Sequence, residues 1–464
     1  MIELVITADD FTGALDTAVQ FSRNSTGTAV MFYNDLDFSG ISGEVQVVVI
    51  DTESRHISPK EAAGRVREAV SKAKASGVTH FYKKTDSVLR GNIGSELLAI
   101  MEAVGSHDLM FVPAYPDMGR TTREGCQYLN GIPLNETSFA RDPIDPVSGC
   151  DIANMIKMQA DAEIIVVGRN EKPHLINGYG SDRPIAAGDK DVTYGLNDPD
   201  NPGESGGGGR PAGRIYVFDA ENNIDLKNIA GLLKSEGKLE LTAGCAGFAG
   251  MLPEVLELCG CRESTSLSDG KSAGKSAGKS AGKMLTVCGS INEISLRQVR
   301  FAEKIGFCRI TPDPDQLLTP GYFDSEAGRD FVKRTARLIN DGKDVIISAA
   351  ASQADRESFG RFACEKKIDE KEIPFIISHG IAALVRKIAD ISNPGILSVV
   401  GGDTAVAIAY SMGFGSVMPR YDIETGVVLS EAFGYGDGII LITKSGGFGN
   451  EDVLVKVRDC MKNR

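Results

Sequence analysis

Short runs rich in Val and Ile recur along the first half of this chain, at 4–7, 29–32, 45–50, 80–83, 109–112, 163–167 and 215–218. Helical patterns lie between several of them, notably 59–75 and 94–104. Continuous apolar strands separated by helical crossovers are the mark of a mainly parallel sheet covered on both faces. The order breaks at 178–213, where Gly, Asp, Asn and Pro accumulate around the glycine run 206–209. That stretch reads as a polar surface insertion, disordered and without chemistry. A second break at 268–283 repeats Ser-Ala-Gly-Lys. Its Gly-Lys-Ser triplets do not make a P-loop, because the glycine spacing is one residue short and no strand precedes them. It reads as a flexible basic linker.

Beyond the linker the pattern restarts, with strands expected at 284–288, 308–310, 345–349, 396–400, 427–429 and 439–443. Helices are expected at 292–305, 326–340, 381–391, 404–412 and 451–460. The fold class is therefore α/β: two α/β domains with mainly parallel sheets, joined by a flexible linker, with the active site in the inter-domain cleft. The expected boundaries are 1–260, a linker over 261–283, and 284–464. A chain of 464 residues has room for both.

A net charge of −13 argues against nucleic acid as the main partner, though a local basic cluster still binds small anions. No apolar run is long enough to span a bilayer, and no targeting segment precedes the first strand. Nine cysteines, scattered almost singly, read as reduced and cytoplasmic usage. Five histidines show no zinc-ligand spacing. A homodimer is the prior for such a chain.

Four loops after predicted strands carry the chemistry of the first half. They hold Asp9 and Asp10, then Asp51 to Arg55, then Lys83, Lys84, Thr85, Asp86 and Arg90, then Pro113 to Arg120. Parallel strands point the same way, so these loops are expected along one sheet edge. Arg and Lys suit a carboxylate or phosphate, and the carboxylates suit hydroxyl groups. Together they describe a site for a polyhydroxy acid. In the second half, glycine turns at 288–291, 400–405 and 443–449 each follow a strand and precede a helix. Such turns bring backbone N–H groups and a helix N-terminus to an anion, which points to nucleotide phosphates. Phosphoryl transfer is the simplest reaction using both sites. A non-catalytic acid-sugar sensor is the alternative, or a dehydrogenase or aldolase; the missing dinucleotide fingerprint and metal cluster speak against the last two.

Ala8-Asp9-Asp10-Phe11-Thr12-Gly13-Ala14, the Lys83-to-Asn92 stretch, Pro113-Ala114 with Gly119-Arg120, Gly401-Gly402-Asp403-Thr404 and the Lys444-to-Gly449 turn resemble the four-carbon acid sugar kinases. That family includes D-threonate, D-erythronate and 3-oxo-tetronate kinases. The resemblance implies an acid-sugar site at Asp9, Asp10, Arg55, Lys83, Lys84, Thr85, Asp86 and Arg90. It implies an ATP site at Ser290, Gly401, Gly402, Asp403, Thr404, Gly446 and Gly447, with ATP entering as its Mg2+ complex. Asp10 is the expected general base with Asp86 second, and Lys83, Lys84 or Arg90 the stabiliser of transferring charge. Val88 stands where the family usually has Thr, which bears on the choice of substrate.

Overall fold

The computed structural model describes residues 1–39, 41, 43–141, 145–169, 171, 213–258, 283–290, 293–350, 353–369, 372–444, 446 and 449–462. The expected insertion at 178–213 and the Ser-Ala-Gly-Lys repeat therefore lie outside the described residues, apart from Gly213 and Lys283. The chain divides into two compact units, Met1–Gly260 and Cys261–Arg464.

The first unit begins with β1 (Leu4–Ala8), α1 (Phe11–Ser22), β2 (Thr28–Phe32), β3 (Val47–Asp51), α2 (Pro59–Ala75), β4 (His80–Lys84), α3 (Ile93–Val104) and β5 (Asp108–Val112). A small antiparallel sheet follows, made of β6 (Arg120–Arg123), β7 (Cys126–Leu129) and β8 (Ile132–Pro133). The unit closes with α4 (Ile152–Lys157), β9 (Glu163–Val167), β10 (Arg214–Phe218), α5 (Asn223–Ser235), β11 (Leu241–Gly244), α6 (Ala246–Ala249) and α7 (Leu252–Val255). Its main sheet runs β2-β3-β1-β4-β11-β5-β10-β9, and every pairing in it is parallel.

Every residue of β1, β2 and β3 is buried, as expected of strands with helices over both faces. Adjacent residues on a strand face opposite ways. At the end of β4, Lys83 accordingly meets Glu96 of α3, while the Lys84 ammonium lies beside Gly13 of α1. The two helices thus cover opposite faces of the sheet. Phe11 of α1 packs on Phe32 with ring centroids 5.2 Å apart, which fixes the helix over the β1–β2 end.

The second unit contains β12 (Met284–Cys288), α8 (Glu293–Lys304), β13 (Cys308–Ile310), α9 (Pro314–Leu318), α10 (Glu326–Asn340) and β14 (Val345–Ser348). It continues through α11 (Gln353–Lys366), α12 (Ile373–Ser392), β15 (Ile396–Val400), α13 (Gly402–Met412), β16 (Ser416–Glu424), β17 (Val427–Phe433), β18 (Ile439–Lys444) and α14 (Val453–Lys462). The order β13-β14-β12-β15-β18 is parallel, and β17 and β16 extend it antiparallel. Val299, Ile346, Leu429, Ile442, Val453 and Val457 form the core between sheet and helices.

The α/β class holds in both units, with a mainly parallel sheet in each. Three features depart from the expected strand pattern. Strand β11 is the tetrapeptide Leu-Thr-Ala-Gly, too small and short to announce itself, yet it fills the middle of the sheet. A Cβ on Gly244 would collide with the Val112 carbonyl, so glycine is what lets β11 run beside β5 there. In the β6–β8 sheet, β6 is polar throughout and β7 and β8 are too short to carry a clear alternation. Strand β16 contains Pro419 and register shifts in its pairing with β17, which erase a period-two signal.

Candidate active site

The C-terminal edge of the first sheet gathers charge from three loops around one guanidinium. Arg55 Nε donates to Asp9 Oδ2 at 2.8 Å, and Nη1 lies 2.8 Å from Asp10 Oδ2. Nη2 is 3.7 Å from Asp86 Oδ1. Arg90 grips the same Asp86 through Nε at 2.8 Å and Nη2 at 3.0 Å, and its backbone N–H donates to Oδ2 at 3.2 Å. Asp86 is thereby clamped. Burial would raise its pKa, but Arg90 and Arg55 overcome that and hold it far below the usual carboxylate range. The fourth loop joins through Arg120, a buried guanidinium that feels the charges of Asp86 and Arg90.

Asp10 does two things at once. It caps α1, accepting the Gly13 N–H at 2.8 Å and the Thr12 hydroxyl at 2.9 Å, and it receives Arg55. Burial pushes its pKa up, while Arg55 and Lys84 push it down further, for a net lowering. Its side chain is 23% exposed against 1% for Asp9, so Asp10 is the carboxylate that meets solvent. Asp9 Oδ1 and Thr85 Oγ1 are buried and have no hydrogen-bond partner among the described residues. Buried acceptors and hydroxyls of this kind are rare without a ligand or water to serve.

The two lysines differ sharply. Lys83 is fully buried, its Nζ 3.1 Å from Glu96 Oε2. The other Glu96 oxygen accepts the Ser54 hydroxyl, which lies 2.7 Å from Thr52 Oγ1, and that hydroxyl donates to the Ala8 carbonyl at 2.7 Å. Lys83, an expected substrate contact, is thus buried and paired with Glu96, bracing the Asp9 and Arg55 loops. Burial raises the Glu96 pKa, with Lys83 opposing the rise. Lys84 points the other way, towards α1. Its Nζ donates to the Thr85 carbonyl at 2.9 Å and has no carboxylate within ion-pair distance among the described residues. A Cβ on Gly13 would meet this ammonium at 2.8 Å.

Sequence reasoning singled out the Asp51-to-Arg55 loop without giving Asp51 or Ser54 a role of its own, and it missed Glu96. Glu96 sits in the first turn of α3, where an acid ordinarily reads as a helix-dipole residue. Asp51, fully buried at the end of β3, has its pKa pushed well up by burial and by Glu53. Beside the cluster, Arg55, His56, Arg90, Asn92, Asp145 and Gln159 help line a cavity of about 360 Å³.

In the second unit the three glycine turns come together. Ser295 Oγ donates to the Gly446 carbonyl at 2.7 Å and lies 3.1 Å from Ser290 Oγ. The Ser290 N–H reaches the Val400 carbonyl at 3.3 Å, and Gly401 N–H donates to Lys444 at 2.9 Å. A Cβ on Gly446 would stand 2.5 Å from Ser290 Oγ, and one on Gly289 would collide with Thr404. Gly401 has φ +112°, which no side chain adopts readily, and Gly402 opens α13. Asp403 is exposed and Thr404 buried in the first turn of that helix. Ser290, Gly401, Gly402, Thr404 and Gly446 thus meet around one helix N-terminus, a cradle suited to phosphate. Gly447 lies outside the described residues. No group of three His, Cys, Asp or Glu residues able to hold a metal occurs among the described residues. No helix among them is long and apolar enough to cross a membrane.

Comparison with known proteins matches residues 4–252 to a sugar-binding N-terminal domain and residues 285–454 to a nucleotide-binding C-terminal domain. The chain is 27% identical over 463 residues to a D-threonate kinase of Salmonella typhimurium, covering 98% of this chain and 97% of that one. It is 27% identical to a D-erythronate kinase of Heliobacterium modesticaldum, with 97% and 95% covered. It is 26% identical to a 3-oxo-tetronate kinase of Methylobacterium radiotolerans, with 98% of each covered. A solved structure from Haemophilus influenzae shares the fold at a TM-score of 0.65 and 20% identity, covering 98% of this chain and all of its own.

Proposed function

The chain belongs to the four-carbon acid sugar kinase family, and we propose that it transfers the γ-phosphoryl group of ATP to a hydroxyl of a four-carbon acid sugar. The observation that carries the reading is Lys84. Arg55 and Arg90 are already engaged by Asp9, Asp10 and Asp86, so Lys84 is the buried cation that an incoming anion can neutralise. Asp9 Oδ1 and Thr85 Oγ1 supply further polar atoms for the acid sugar's hydroxyls.

Asp10 accepts the hydrogen bond of the attacking hydroxyl and orients it. With its pKa lowered, it does not remove the proton in advance. The O–P bond forms as the bond from γ-phosphorus to the bridging oxygen breaks, and ADP leaves. The proton passes to Asp10 only as the new bond forms, which suits a loose phosphoryl-transfer transition state. Asp86, doubly gripped and held strongly acidic, positions Arg55 and Arg90 and is no base. Lys84 stabilises negative charge at the reacting end of the site.

The phosphates of ATP bind the Ser290, Gly401–Thr404 and Gly446 cradle, where side chains larger than hydrogen on the glycines would intrude. Mg2+ would come with the nucleotide and would supply charge neutralisation at its phosphates, which this cradle holds. The deciding experiment follows ATP consumption and product mass with D-threonate, D-erythronate and 3-oxo-tetronate. Phosphorylation of one of them is expected. No ATP-dependent product from any would sink the proposal.

A further inference from the structure

Lys444 is the last residue of β18 and only 2% exposed. It stands at the C-terminal edge of the second sheet, paired in parallel register with Val400. Its carbonyl receives the Gly401 N–H at 2.9 Å, and its ammonium donates to the Gly446 carbonyl at 3.3 Å. That carbonyl also accepts from Ser295 Oγ, which in turn reaches Ser290. The lysine is therefore bound to two of the three turns of the cradle, and one step removed from the third.

We propose that Lys444 is the cation that grips the nucleotide phosphates, bound between the Gly401 and Gly446 turns. This rests on the kinase reading and adds to it a residue of the phosphate site. Glycine turns and a helix N-terminus offer only partial charges, whereas a nucleoside di- or triphosphate brings several full negative charges. A buried lysine at the seam of the turns provides a full positive charge without a flexible approach from solvent. Burial outweighs its other surroundings and lowers its pKa to about 8. Among the described residues, the Cys288 thiol of β12 acts on it, itself pushed up to about 12 by burial and so neutral in this range. Asp403 on α13 is exposed. A bound polyphosphate would draw the Lys444 proton back, so nucleotide binding near pH 8 should take up a proton.

Calorimetric titration of the full chain with ADP at pH 8, in two buffers of different ionisation enthalpy, reads that uptake directly. The native protein is expected to take up about half a proton per ADP. K444R, always charged, should bind ADP with a much smaller uptake. K444M should weaken ADP by about 10- to 100-fold and leave adenosine binding unchanged. K444R provides the test if K444M does not fold. ADP binding with the same uptake in the native protein and K444R, or with K444M at native affinity, overturns the Lys444 assignment alone. Failure of the native chain to bind ADP at all overturns the nucleotide reading beneath it.

Discussion

The Lys83 ammonium lies 3.1 Å from Glu96 Oε2, and neither side chain reaches solvent. Such a pair is weak evidence for stability, because desolvation offsets most of the attraction, but breaking it strands a buried charge. Glu96→Gln should therefore destabilise the first unit by about 3–5 kcal/mol, and Lys83→Met by a similar amount. Replacing both together with apolar residues should recover most of the loss. Chemical denaturation of the three variants checks this. Single and double variants of equal stability would mean the pair is not coupled.

Asp10→Asn separates the two roles of the residue. Asparagine caps helices about as well as aspartate, so α1 should hold, while losing the charge opposite Arg55 should lower the melting temperature without unfolding the protein. The oriented, charged acceptor for the attacking hydroxyl is lost, and kcat should fall by about 100-fold or more. Steady-state kinetics on the substrate that proves active decides it, and near-normal turnover would remove Asp10 from the chemistry.

Much of this arrangement was legible in the sequence, and what was not has physical reasons. Loops after parallel strands share one edge by geometry, so Asp9, Asp10, Arg55, Asp86 and Arg90 could be brought together without coordinates. The split between Lys83 and Lys84 could not. Period two puts them on opposite faces, but both faces of a parallel sheet are covered by helices, and nothing local says which face leads to the site. Glu96 was hidden for a related reason, since its partner arrives from a strand elsewhere in the chain. The clamp on Asp86 was hidden as well: a carboxylate near two arginines reads as reactive in sequence, and as neutralised once both guanidinium distances are known.

Asp86 also sets an acid limit. Its folded-state pKa is depressed, so the unfolded chain binds its proton more readily than the folded one. Its contribution to stability is fully present above the unfolded value of about 4 and is lost progressively as pH falls below it. Asp10 acts in the same direction. Asp86→Asn should flatten the fall in stability between roughly pH 4 and pH 2 and leave a less stable protein at pH 7. Urea titrations across that range test the slope; an unchanged slope would show that the Arg90 and Arg55 clamp is energetically idle.

Gly13 offers a test in which helix propensity and function oppose each other. Alanine is the better helix former by about 1 kcal/mol. In this first turn, however, its Cβ would press on Asp10 Oδ1 and stand 2.8 Å from Lys84 Nζ. Gly13→Ala should leave the fold intact while lowering kcat/KM by at least about 10-fold, the loss expected when an oriented group shifts by a few tenths of an ångström to 1 Å. Native kinetics in a folded variant would show that the site tolerates the methyl group.

Lys84 carries the strongest contrast between stability and function. Its buried ammonium has one hydrogen bond, to the Thr85 carbonyl, and no paired carboxylate among the described residues. Burying such a charge costs the fold free energy that an apolar residue of similar length would not. Its charge does favour the ionised forms of Asp10 and Asp86, which returns part of that cost. Lys84→Met should therefore keep or raise the melting temperature while reducing kcat/KM for the acid sugar by about 100-fold or more. ADP affinity, read in the same preparation, should stay within about 2-fold if Lys84 serves the sugar-acid side alone. A variant that loses stability and activity together would mean that Lys84 holds the fold and does not wait for an anion.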